Sequence, residues 1–240
     1  MTPLAAAGPV IPDFGRGSSC VRGNGTFCWD WVDSHWSDTL RPALVQHVVL
    51  TLVAIAVGFA IAFALALLAH RRGWITTPVV LVTGLLYTIP SLALFQLLVP
   101  FTGLSRTTAE IALVSYTLLI LFRNTLAGLA GVPEDVRDAA RGMGLTRRQL
   151  LWRVELPLAM PAIVAGLRIA TVTVISLATV AVFVVNEGLG APIYAGLQQT
   201  FKTELIAAGA LCVVLALAAD GLLVLAQRVL TPWTRVARSR

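Results

Sequence analysis

Charge is scarce in this sequence: only 12% of its 240 residues are Asp, Glu, Lys or Arg, and of its 18 basic residues Lys202 alone is a lysine. Soluble domains carry about twice that share of charge. With 57% hydrophobic residues and a mean hydropathy of +0.82, the chain falls among integral membrane proteins, and it reads as one membrane domain with two short appendages. No Gly-x-x-x-x-Gly-Lys-Ser/Thr loop is present, so ATP is not bound by that route. No His-Glu-x-x-His or Gly-x-Ser-x-Gly supports hydrolysis either, and the chain is not expected to be an enzyme. A formal charge of +6 would suggest nucleic acid in a soluble protein. Here the arginines flank apolar runs, as loops on the cytoplasmic side of a membrane do, so no nucleic acid partner is expected.

The first 42 residues lack the apolar core of a signal peptide and are expected to be retained. They carry Gly, Pro, Ser, two cysteines and four aspartates, with Trp29, Trp31 and Trp36 set among Asp30, Asp33, Ser34 and His35. That composition suits a segment lying among headgroups at the outer surface. Cys20 and Cys28 are placed to close a small disulfide loop if the tail faces an oxidising compartment. Unpaired thiols are the bland alternative. A zinc set with Asp33 and His35 lacks the paired close spacing of such sites, so neither a metal nor another cofactor is expected.

Five apolar stretches follow, each long enough for the ~20 residues that cross hydrocarbon. They run from about Ala43 to Ala69, Thr77 to Phe101, Thr107 to Leu129, Met160 to Val185 and Leu205 to Leu225. In the second, Pro90 removes a backbone donor and disfavours helix at Ile89, so a mid-span kink is expected where protein or water can satisfy the freed carbonyl. Tyr87, Ser91 and Gln96 make that stretch polar enough to line a pathway, although such residues also satisfy neighbouring helices. Asn186, Glu187 and the glycines after them, with Tyr194, Gln198 and Gln199, predict an outer loop or short re-entrant element: a gate and docking surface, or a plain connector. Arg123, Arg168 and Asp220 are ionisable groups within spans, costly unless paired or hydrated. A pair between Arg168 and Asp220, joined by Arg123, would lock or gate the bundle; separate snorkelling of each arginine is the alternative.

Arg71, Arg72, the arginines at 137, 141, 147, 148 and 153, and those at 228, 235, 238 and 240 fall on one side of the five spans. The other side receives Arg106, Lys202, Glu187, Glu204 and the aspartate-rich tail. The positive-inside rule then puts the amino terminus outside and the basic tail, 228–240, in the cytoplasm of a multi-pass plasma-membrane protein.

Between the third and fourth spans lies the one long polar interruption. Pro133, Glu134 and Asp135 suit a helix start. Val136, Ala139, Ala140 and Met143 recur at helical spacing as a small-residue stripe. Gly144 is the expected stop, and Thr146 with Gln149 predicts a capping box opening a second short helix that Pro157 should end. Two short helices meeting at a glycine form a knob that another protein's groove can accept.

The spacing of Asp138-Ala139-Ala140, Gly144 and Val154-x-Leu156-Pro157 resembles the cytoplasmic EAA loop of bacterial ABC importer permeases, with Asp138 in place of the usual glutamate. Beyond it, Tyr87 to Leu94, Arg123-Asn124-Thr125 and the block from Asp138 to Gly166 resemble permeases for compatible solutes such as glycine betaine, choline, carnitine or proline betaine. The likeness covers roughly 40–227. It implies an all-α integral membrane protein of the type I importer permease fold, with a transmembrane domain over 43–227 and a coupling loop at about 132–158. It further implies a separate ABC ATPase subunit, a second permease copy or related permease, and an external substrate-binding protein that holds a quaternary amine by cation–π contact. A permease for methionine or another amino acid shares the same outline. A self-sufficient channel, a secondary carrier, which usually shows an inverted repeat, and a membrane enzyme are the remaining classes.

Overall fold

The computed structural model describes residues 18–232; the first part of the expected tail, 1–17, and Arg235, Arg238 and Arg240 lie outside the described residues. Among the described residues there are helices and turns and no strands. Two short helices, α1 (Ser19–Arg22) and α2 (Trp29–Ser34), lead into α3 (Arg41–Arg71). The chain then forms α4 (Thr76–Thr88), α5 (Ser91–Thr102) and α6 (Arg106–Ala130). The polar stretch gives α7 (Glu134–Gly142) and α8 (Arg147–Leu150), and α9 (Leu156–Val180), α10 (Gly190–Gln198) and α11 (Lys202–Leu230) complete it.

Among the described residues four helical stretches are long and apolar enough to cross a bilayer, and the bent pair α4–α5 raises the count to as many as five. The packed centre is α3, α6 and α9. Small residues bring these helices together, as in membranes generally, where apolar side chains gain little by leaving lipid. A Cβ on Gly166 of α9 would lie 2.5 Å from the Cβ of Asn124 on α6, and one on Gly128 of α6 would lie 2.9 Å from the carbonyl oxygen of Ala159. Around these contacts Leu113, Leu121, Phe122, Leu129, Val174 and Ile175 are fully buried. By contrast α11 leaves Val213, Val214, Leu217 and Leu222 exposed.

The second span is more than kinked. α4 and α5 meet at 101°, because Ile89 is extended (φ −66°, ψ 129°) and Pro90 has no N–H to give. The carbonyl freed at Ile89 accepts from the hydroxyl of Tyr116 on α6, and Tyr87 packs edge-on against the Tyr116 ring at 6.0 Å. Sequence pattern located the break; Tyr116, 27 residues away, gives it no local signal.

Pro157 does not end a helix. Helical backbone runs without interruption from Arg147 to Phe183, and the proline sits in the first turn of α9 directly after a π-turn at Leu151–Glu155. A first-turn position and a locally widened ladder leave no donor for the ring to remove.

The expected boundary after residue 42 falls inside one continuous helical stretch, Trp36–Arg71. The described part of the tail is folded onto the bundle. Cys20 and Cys28 are disulfide-bonded, and Val21, Cys28 and Trp31 pack on Phe201. Asn24 donates from Nδ2 to the Thr200 carbonyl at 2.8 Å and accepts from the Lys202 amide at 3.1 Å. Of the three tryptophans, Trp29 is 74% exposed and Trp36 43%, while Trp31 turns inward against Phe201 with ring centroids 5.3 Å apart.

Gly166→Leu is expected to force α6 and α9 apart, at a cost of about 1–3 kcal/mol or more, seen as a clearly lower unfolding temperature of the solubilised chain. Gly84→Ala is the control, since nothing lies within 4 Å of a Cβ there.

Candidate functional site

The polar loop between α6 and α9 is built from local signals. Pro133 precedes α7, and Glu134 and Asp135 occupy its first turn, where acids complement the positive end of the helix. The helix ends in a Schellman arrangement: Leu145 N–H donates to the Ala140 carbonyl at 3.2 Å and Gly144 N–H to that of Arg141 at 2.9 Å, with Gly144 at φ +81°. That left-handed position favours glycine. The capping box is formed, Gln149 Oε1 accepting from Thr146 N–H at 2.9 Å and Thr146 Oγ1 from Gln149 N–H at 3.3 Å. Of the apolar stripe on α7, Ala140 is buried and Val136 half-buried, but Ala139 and Met143 are exposed, Met143 at 74%. Leu156 is buried and Pro157 half-buried beneath the loop.

What holds α7 to the bundle is charge. Glu155, whose side chain is 8% exposed, lies 2.9 Å from Arg137 Nε and accepts from His70 Nε2 at 3.1 Å. One carboxylate thus ties the end of α3, the middle of α7 and the entry to α9. Arg137, 14% exposed, also donates to the Leu129 carbonyl at 2.7 Å and to Glu134 at 3.0 Å. Arg141 continues outward, 2.8 Å from both Glu134 and Asp138. Hydrogen bonds from Arg137 and then Arg141 hold the Glu134 carboxyl below its ordinary range. A lowered carboxylate pKa contributes stability above its unfolded value and loses it as pH falls through the folded one, so this arm of the network is intact at neutral pH. The outer pairs are more than half exposed and count for little individually; the Glu155 cluster is the buried one. Sequence reading named Asp138 and missed Glu155, His70 and Arg137, because 85 residues separate His70 from Glu155.

Within the spans, Arg168 and Asp220 form a two-pronged pair, Nε to Oδ1 at 2.7 Å and Nη2 to Oδ2 at 2.9 Å, joining α9 to α11. Arg123 does not join them: it is exposed and makes no ion pair among the described residues. Of the residues expected at a pathway, Tyr87 and Pro90 are exposed and Ser91 half-buried at the α4–α5 break. Asn186 is exposed, and Glu187 lies 3.9 Å from Arg106, which pairs with Glu110 at 3.0 Å. Two residues not singled out by sequence, Gln46 and His47 on α3, accept from the amides of Gly188 and Leu189 at 3.0 and 3.2 Å. Among the described residues no three His, Cys, Asp or Glu side chains converge as metal ligands.

A multi-pass helical bundle with two short charged helices inserted between its spans has the build of a membrane transport subunit. The sequence matches the family described as "Binding-protein-dependent transport system inner membrane component" over residues 54–236, and the chain belongs to that family. It is 35% identical over 188 residues to the choline transport system permease protein OpuBB of Bacillus subtilis (strain 168), covering 78% of this chain and 86% of that one. It is 38% identical over 176 residues to the carnitine transport permease protein OpuCB of Listeria monocytogenes, covering 73% and 80%. With the osmoprotectant import permease protein OsmW of Salmonella typhimurium it shares 40% identity over 194 residues, covering 78% and 89%. The fold is similar to that of an inward-facing MetNI methionine ABC transporter chain, with a TM-score of 0.68, 21% identity and coverage of 78% and 93%. It is similar as well to a chain of an amino acid ABC transporter, with a TM-score of 0.67, 20% identity and coverage of 82% and 97%. The fold class is therefore that of type I importer permeases.

Glu155→Ala is expected to leave Arg137 without its buried counter-charge and cost about 3–5 kcal/mol. Trypsin digestion of the solubilised chain should then cut after Arg137 and Arg141 far sooner than in the native protein.

Proposed function

We propose that this chain is the membrane-spanning subunit of an ATP-driven importer for compatible solutes, quaternary amines such as glycine betaine, choline and carnitine. The observation that carries the reading is its 34–40% identity to choline, carnitine and osmoprotectant permeases over most of their length. The reading of α7 as the coupling element is supported by its geometry. Asp138, Ala139 and Met143 stand exposed on a helix that the Glu155 cluster fixes to α3 and α9, and the Gly144 turn sets the angle to α8. Asp138, Ala139, Ala140, Gly144, Leu156 and Pro157 form or brace the surface offered to a separate ABC ATPase.

A second permease copy, identical or related, completes the pathway, and a substrate-binding protein delivers solute from outside. The orientation, amino terminus outside and carboxyl terminus cytoplasmic, rests on two supports: the disulfide at the tail end and the arginines gathered at the α7 end. Closure of the ATPase pair on ATP moves α7, and the spans follow from inward-facing to outward-facing. Such a bias requires that the ATPase states bind the two membrane conformations differently. Tyr87, Pro90 and Ser91 line the route, Asn186 and Glu187 gate its outer end, and the Arg168–Asp220 pair keeps α11 in register with α9.

The test is uptake of labelled glycine betaine into vesicles holding the chain with its ATPase and binding protein. ATP-dependent uptake is expected, and Gly144→Val, which strains a left-handed backbone position, is expected to reduce it at least about tenfold. Transport of methionine or another amino acid in place of betaine would keep the importer and discard the solute class.

A further inference from the structure

The outer loop that follows α9 is held by two adjacent side chains of α3. Gly188 N–H donates to Gln46 Oε1 at 3.0 Å, and Leu189 N–H donates to His47 Nδ1 at 3.2 Å. The other ring nitrogen of His47, Nε2, lies 3.0 Å from the Ile175 carbonyl of α9, and the whole side chain is inaccessible to solvent. These partners fix the tautomer: a carbonyl requires the proton on Nε2, and an incoming amide requires Nδ1 bare. One imidazole therefore spans from α3 to α9 and to the loop at once.

The loop is shaped to accept this. Gly188 is left-handed at φ +74°, and a Cβ there would stand 3.2 Å from His47 Nδ1. Gly190 sits hard against the backbone of Thr179, leaving no room for a side chain. The residue between the latch and the exposed Asn186 is Glu187, 3.9 Å from Arg106 at the start of α6. The loop is thus tied to α3, α6 and α9 together. A buried amide that loses its acceptor costs more than a solvated one, so the buried Leu189–His47 contact holds the loop more firmly than the part-buried contact of Gly188 with the exposed Gln46.

We infer that Gln46 and His47 are positioning residues that latch the outer loop in its closed place, and that the transport cycle must break the latch to open the outer end. This rests on the importer reading above, but the latch itself is measurable without transport. Hydrogen exchange at the Gly188 and Leu189 amides is followed by mass spectrometry on the full chain in detergent. His47→Asn keeps an acceptor where Nδ1 stands and loses the contact to Ile175; His47→Gln keeps a donor near Nε2 and loses the contact to Leu189.

Slow exchange in the native chain and in His47→Asn is expected, with exchange about fivefold or more faster at Leu189 in His47→Gln. In the complete transporter, His47→Gln should raise ATP hydrolysis in the absence of binding protein at least about twofold and lower uptake, while His47→Asn stays close to native. Fast native exchange at these amides would overturn the latch, as would equal exchange in the two variants or uptake that merely follows their unfolding temperatures. Should neither variant fold, Gln46→Met touches only the Gly188 contact: selective acceleration at Gly188 supports the latch, and unchanged exchange there overturns it. A native complex that moves no betaine while its amides show the latched pattern would count against the solute reading alone.

Discussion

The arrangement depends on one buried carboxylate. Glu155 stands where the polar loop becomes α9, and it receives His70 from the end of α3 and Arg137 from α7. A charge so little exposed is costly unless neutralised, and removing Arg137 or Glu155 leaves the other as a poorly compensated charge in a poorly hydrated place. The cluster adds directional connection more than stability: three elements far apart in sequence move with one group. The exposed pairs further along α7, with Glu134, Arg141 and Asp138, stiffen the helix without anchoring it. A knob built on Glu155 is therefore fixed to the spans at its base and free at its tip, where Ala139 and Met143 await cover.

At the other end of the bundle the constraints are mostly uncharged, apart from the half-exposed pairs of Arg106 with Glu110 and Glu187. Loop amides are received by Gln46 and His47, the broken span hands its free carbonyl to Tyr116, and the disulfide-closed tail fits Asn24 into the turn before α11. Each satisfies backbone groups that irregular structure leaves bare, the Leu189 and Ile89 contacts where there is little water and the Asn24 contacts at the exposed surface. Small residues at Gly58, Gly128 and Gly166 bring α3, α6 and α9 close enough for these contacts to form. Buried charge at one end and mainly hydrogen-bonded backbone at the other leave the middle of the bundle to packing, with the Arg168–Asp220 pair as its polar tie.

Sequence reading recovered what is local. Helix starts at Pro133, stops at Gly144 and the reciprocal cap of Thr146 and Gln149 are written within four residues of themselves, and the apolar runs carry their own lengths. Pro157 was misread because a π-turn has no periodic signature; with it, the proline falls in a first turn and ends nothing. The tail was read as separate from composition alone, yet Phe201 and Thr203, 175 residues from Cys28 in the latter case, are what it packs on. Glu155 was visible only as one polar residue in Val-Glu-Leu-Pro, since neither His70 nor Arg137 stands at a spacing that would announce it. The Arg168–Asp220 pair was legible because charges inside spans are few enough to seek one another; Arg123, exposed and apart, shows how far that argument reaches.

Anchored through Glu155, α7 is expected to move as one body with the ends of α3 and α9 in the importer proposed above. Spin labels at Met143→Cys beside α7 and at Trp74→Cys, an exposed residue in the turn that directly follows α3, in a chain whose free thiol at Cys212 is replaced by alanine and which is reconstituted with the proposed ATPase, report this by pulsed electron resonance. The distance between the two labels within one chain should stay constant between the nucleotide-free and ATP-trapped states, while the distance between the Met143→Cys labels of the two halves of a homodimeric assembly changes. A within-chain distance that shifts with nucleotide, beside an unchanged distance across the assembly, would contradict it.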